Sequence, residues 1–118
     1  MVRVKIYHNP RCSKSRQTLE LLRERGFEIE VVPYLERPPS VAQLDAICRA
    51  LGKEPLEIIR TKEKRFAELG LSKKDERSRE AWLRLMVENP ILIERPIVVH
   101  GEKAALGRPP ENVLTILP

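Results

Sequence analysis

One stretch constrains this chain more than any other: Ile6-Tyr7-His8-Asn9-Pro10-Arg11-Cys12-Ser13-Lys14-Ser15-Arg16. Before it, Val2, Val4 and Ile6 alternate with charged residues at the period of a strand. After it, Leu19, Leu21 and Leu22 share one side of a helix predicted over Ser13 to Arg25. The period changes across a proline-containing loop, and Cys12 stands at the change. A thiol at a helix start meets unpaired backbone N–H groups and the positive end of the helix dipole, and both favour the thiolate. Arg11, Lys14 and Arg16 add positive charge nearby. The same N–H groups form an anion cradle, so a nucleophile and an oxyanion site coincide. The competing reading is a small buried hydrophobe. Cysteines of that kind sit inside apolar runs, whereas Cys12 lies between Arg11 and Ser13, so the reactive reading is the stronger.

Composition narrows the classes. A chain of 118 residues suits a single domain, residues 1–118, that can bury a core without disulfides. The net charge of +5 comes from charges of both signs spread along the chain, with no basic block and few aromatic residues. Nucleic acid is therefore not an expected partner. Arg3 and Lys5 interrupt the N-terminal apolar run, and no stretch suits a bilayer, so no membrane association and a cytoplasmic location are expected. Cys12 and Cys48 make neither a disulfide framework nor a metal-ligand pattern.

Along the chain, Gly26 can close the first helix and Phe27 to Val32 reads as a second strand. Ser40 caps a helix with Leu44, Ile47, Cys48 and Leu51 on its apolar side and Gly52 at its end. Pro55 opens a short helix ending near Arg60. The charged run Lys73 to Glu80 reads as a mobile solvated connection. Ala81 to Glu88 reads as a helix with Trp82, Leu85 and Met86 inward, stopped by Asn89-Pro90. Glu94 to Val99 is extended, Gly101 turns the chain, and Glu102 to Leu106 pairs back as a strand. Gly107-Arg108-Pro109-Pro110 leads into a final helix over Val113 and Leu114. The order implies an α/β domain: a mixed β-sheet flanked by helices, with a helical insertion in the middle of the chain.

Several of these blocks together resemble the arsenate reductase family that works with glutathione and glutaredoxin, on a thioredoxin-like fold. They are Tyr7-His8-Asn9-Pro10 with Cys12-x-x-Ser15-Arg16, Tyr34-Leu35-Glu36, Asn89-Pro90-Ile91-Leu92-Ile93, Arg95-Pro96-Ile97-Val98-Val99 and Arg108-Pro109. The resemblance implies that Cys12 is the nucleophile toward arsenate and that Arg60, Arg95 and Arg108 bind the oxyanion. It implies that His8 and Ser15 help hold Cys12 as thiolate, and that the Arg95–Pro96 bond is cis. It implies no bound cofactor, with glutathione as external reductant and glutaredoxin as partner. The planar fork of arginine suits a tetrahedral oxyanion. Singly, each arginine could be an ordinary surface charge, and His8 could equally be a satisfied loop histidine.

Between Cys12 and Ser15 this chain carries Ser13-Lys14, where the best-known reductases carry Gly-Thr; a side chain at position 13 could crowd the approach of an anion. Two further readings stay open. One is a glutathione-dependent thiol oxidoreductase without an arsenic role. The other is an RNA-polymerase-binding redox regulator of the same fold, against which Ser15 stands in place of the second cysteine of its switch. Cys48, on an apolar helical stripe, is expected in the core and not as a resolving thiol. Cys12 is expected on a loop at the edge of the sheet.

Overall fold

The computed structural model describes residues 3–118; Val2, read above as part of the first strand, lies outside the described residues. The chain divides into two compact units, one formed by the residues up to Arg37 with Arg95–Pro118, the other by Pro38–Glu94. The second is the helical insertion expected from the sequence.

The first unit holds strands β1 (Arg3–His8), β2 (Glu28–Pro33), β3 (Ile97–His100) and β4 (Lys103–Leu106), and helix α1 (Ser13–Glu24). The sheet order is β2-β1-β3-β4, with β1 and β2 parallel and the other pairs antiparallel. The sheet is therefore mixed. β1 is an interior strand, so Cys12 follows the carboxyl end of a central strand and is not at the sheet's edge. In α/β sheets that end is where ligands usually bind. Ile6, Val98 and Ala105 lie opposite one another across three strands. With Val4 they form the floor on which Leu19 and Leu22 of α1 and Val113 pack. Leu22 is fully buried, whereas Leu21 is half-buried at the margin. After β4 the chain forms not an α-helix but a 3₁₀ helix, Pro110–Ile116, which packs against α1 and β4. Pro109 is its N-cap and Pro110 its first residue, positions where a missing N–H leaves no ladder bond unmade.

The second unit contains α2 (Val41–Leu51), α3 (Pro55–Ile58), α4 (Lys64–Glu68) and α5 (Arg79–Glu88). Ser40 and Gln43 form a reciprocal cap at the start of α2: Gln43 N–H donates to Ser40 Oγ at 3.1 Å and Ser40 N–H to Gln43 Oε1 at 2.9 Å. Gly52 ends α2 in the left-handed conformation, at φ 68°. α5 begins two residues before the expected start, because Ser78 Oγ accepts the Ala81 N–H at 3.1 Å. Its buried residues are Trp82, Leu83 and Met86; Leu85 is only half-buried. The run before it is not a loose connection. Ser72 N–H donates to Asp75 Oδ2 at 3.0 Å, Asp75 N–H donates to Ser72 O at 3.0 Å, and Arg77 lies over the Trp82 ring. Arg79 ties three helices together through Asp45 Oδ1 and Glu54 Oε2, both at 2.7 Å. Ile59 pairs with Ile93 in an isolated antiparallel bridge.

Leu22 has no exposed surface and sits at the centre of the α1–sheet core. Leu22→Ala should lower the unfolding free energy by roughly 2–5 kcal/mol, and Leu21→Ala by clearly less, in denaturant titrations of each variant.

Candidate active site

The loop between β1 and α1 is held by its own backbone. Cys12 N–H donates to Asn9 O at 3.0 Å, and Arg11 N–H to Asn9 Oδ1 at 3.0 Å. Asn9 is buried, so its side chain fixes the turn from inside. Arg16 Nη1 donates to Pro10 O at 2.8 Å, fastening the loop to the first turn of the helix. Cys12 takes the N-cap position with extended backbone, and Arg16 N–H donates to its carbonyl at 3.0 Å.

Ser15 is fully buried one turn into α1. Its Oγ accepts the Asn9 N–H at 3.0 Å and lies 2.7 Å from His8 Nδ1. Burial first, and then the charges of Arg23 and Arg16, hold His8 below the ordinary imidazole range. A neutral His8 lends no positive charge to Cys12. It fixes Ser15, whose backbone faces the sulfur.

Cys12 itself is half-buried. Burial alone would push its thiol up. That push is outweighed by the Ser15 N–H, the Arg95 side chain, the Lys14 N–H and the Arg95 charge, so the thiol lies below its ordinary range. The Cys12 side chain closes no short capping bond, so the two N–H groups act on the sulfur as oriented dipoles. Arg108 completes the arrangement: its Nη1 is 3.9 Å from Cys12 Sγ and donates to Arg95 O at 3.1 Å. The Arg95–Pro96 bond is cis, and so is the Arg108–Pro109 bond.

The structure thus brings Cys12, Ser15, His8, Arg95 and Arg108 together within one unit. The cationic help comes from Arg95 and Arg108, outside α1; Arg11 of the loop and Arg16 of α1 are exposed. Ser13 is exposed too, and the N–H groups facing the sulfur belong to Lys14 and Ser15. Arg60 belongs to the second unit. Its Nη1 donates to Glu94 Oε1 at 2.5 Å and its Nε to Glu63 Oε1 at 3.2 Å. An anion recruiting Arg60 would compete with both carboxylates. Asn9 is the residue whose role the sequence reading missed; its position before proline, typical of a turn, was the available signal.

Cys48 is buried in the second unit, and burial drives its thiol up to about 11, with the nearby Arg79 charge offsetting only part. Among the described residues, no group of histidines, cysteines and carboxylates is placed to hold a metal ion. Among the described residues, no helix is long and apolar enough to cross a membrane.

The reactivities of the two thiols should separate cleanly. Alkylation of the native protein should proceed at Cys12 with a pH midpoint below the free-thiol value of about 8.5, measured by rate against pH with mass-spectrometric assignment. Cys48 should stay unlabelled at neutral pH until denaturant is added; labelling of both sulfurs at equal rates in the folded protein would contradict the burial of Cys48.

Residues 7–116 match the ArsC family. An Escherichia coli K12 protein named only as uncharacterised, YfgD, is 54% identical over 115 residues, covering 97% of this chain and 96% of its own. An arsenate reductase of Neisseria meningitidis is 46% identical over 118 residues, covering 99% of this chain and all of its own. The solved arsenate reductase from Vibrio cholerae superposes with a TM-score of 0.92 at 48% identity, covering 98% of each chain. The mixed four-stranded sheet with helices against it is the thioredoxin-like arrangement that these proteins share.

Proposed function

From the premise that the chain belongs to the ArsC family, we propose that it reduces arsenate to arsenite, with Cys12 as nucleophile. The observation that carries this reading is the set of donors converging on Cys12 Sγ: two helix-start N–H groups on one side and Arg95 and Arg108 on the other. A thiolate so placed lies beside donors that suit a tetrahedral oxyanion and its developing charge. Relatives named as arsenate reductases support the substrate.

The chemistry balances with two external thiols. The Cys12 thiolate attacks arsenic, and an arsenate oxygen leaves as water after taking up protons, giving a Cys12–S–As(V) adduct. A glutathione thiol displaces a second water and forms an S–As bond. A further thiol, from glutaredoxin, attacks the glutathione sulfur. A disulfide forms, the S–As bond breaks, and its electron pair stays on arsenic, which becomes As(III). Water then cleaves the Cys12–As bond, releasing arsenite and restoring the thiolate. Arg95 and Arg108 hold the oxyanion throughout, and His8 and Ser15 keep the loop in register. An external thiol is required because Ser15 offers no sulfur and Cys48 is protonated in the core.

A coupled assay following NADPH consumption with glutathione, glutaredoxin and arsenate tests the proposal. Cys12→Ser should abolish turnover, Cys48→Ser should leave it nearly intact, and Arg108→Lys should lower it about tenfold or more with little change in Tm. Absence of arsenate-dependent turnover, together with reduction of glutathione mixed disulfides by the same protein, would favour the thiol oxidoreductase reading instead.

A further inference from the structure

The two sides of the site are carried by different pieces of chain. The thiol and its N–H donors ride on α1; Arg95 and Arg108 ride on the segments that flank β3 and follow β4. One residue lies where these pieces meet. Gly107 is buried, its N–H donates to Pro96 O at 2.9 Å, and Thr18 Oγ1 of α1 lies 3.5 Å from its carbonyl oxygen. We propose that Gly107 is a positioning residue for Cys12: its missing side chain sets the spacing between the α1 donors and the arginine donors.

The constraint is steric. A Cβ built on Gly107 would collide with Thr18 Oγ1, would stand 2.6 Å from Pro96 Cγ, and would meet Thr18 Cγ2 at 3.1 Å. Both obstacles are stiff. Thr18 is fully buried, β-branched, and pinned because its Oγ1 donates to Lys14 O at 2.8 Å. Pro96 is a ring in the segment directly after Arg95, and it is buried. The space is closed on the helix side by Thr18 and on the arginine side by Pro96, so an added methyl must part the two. Gly107 is not required for left-handed backbone, since its φ lies outside that region, unlike the other four glycines. Space is the whole requirement. Parting the walls shifts Arg95 and Arg108 relative to the Cys12 sulfur, with Arg108 already at the long distance of 3.9 Å. In an ordinary loop the same glycine would affect stability alone. Here it also governs the charge around the nucleophile.

The inference rests on Cys12 being the reactive thiolate, and its test does not use arsenate. In a Cys48→Ser background, the pH dependence of Cys12 alkylation and the Tm are measured for the parent, Gly107→Ala, Thr18→Ala and the double variant. Gly107→Ala should raise the alkylation midpoint and slow the reaction at neutral pH roughly threefold or more. Thr18→Ala removes two of the three obstructing atoms and lets the segment recede from Pro96. The double variant should therefore titrate like Thr18→Ala alone, a non-additivity expected only of a shared steric cause. A folded Gly107→Ala with the parent's midpoint would overturn the proposal. So would a double variant that keeps the full rise, or one that fails to fold while Thr18→Ala folds. A parent midpoint at the free-thiol value would instead remove the thiolate reading itself, a result separable from the behaviour of Gly107.

Discussion

The active-site half of this protein depends on one close approach: α1 lying against the segments that carry Arg95 and Arg108, with only a glycine between Thr18 and Pro96. Leu19 and Leu22 press the helix onto Val4, Ile6, Val98 and Ala105, and that apolar contact supplies the force. The polar site forms at the same helix's first turn. Core and chemistry are therefore the two ends of a single packed element. A nucleophile on a free loop would lack this coupling, because nothing would hold its N–H donors opposite the guanidinium groups.

Within the site, labour is divided between charge and position. The charged partners of Cys12 are Arg95 and Arg108. His8 is neutral and acts through others: it holds Ser15, and Ser15 holds Asn9. The resemblance implied that His8 and Ser15 help to keep the thiolate, and the geometry gives that help a structural route. It runs through a buried hydroxyl and a backbone amide, without any imidazolium charge. An oxyanion approaching the sulfur meets a surface whose shape has been set before it arrives.

Much of this was legible in the sequence, for local reasons. Alternation up to Ile6, the proline loop and the leucines of α1 gave the strand–loop–helix unit and put Cys12 at a helix start. Ser40 and Gly52 marked α2 by capping chemistry. Elements defined by long-range contacts were harder to see. The start of α5 at Arg79 was hidden inside a charged run: its cap, Ser78, is local, but the partners that hold Arg79, Asp45 and Glu54, lie 34 and 25 residues away. The last helix was read as α, and no local pattern marked its 3₁₀ winding. The interior place of β1 could not come from pattern, since strand order is set by pairings that no local period encodes. At the site, Arg95 and Arg108 came from resemblance. The need for glycine at 107 was invisible, as it belongs to three segments distant in sequence.

The mixed character of the donors around Cys12 has a consequence for how the site answers to its medium. The Lys14 and Ser15 N–H groups are fixed dipoles at the start of a helix, close to the sulfur and sheltered by it. Arg108 is a whole charge on an exposed residue. With a screening length of about 10 Å at 0.1 M salt, dissolved ions weaken an exposed pair 3.9 Å apart only in part, and an oriented peptide group in contact still less. The thiolate therefore stands on one support that answers partly to ionic strength and one that scarcely does. The backbone sets a floor for its acidity, and the solution tunes what lies above it.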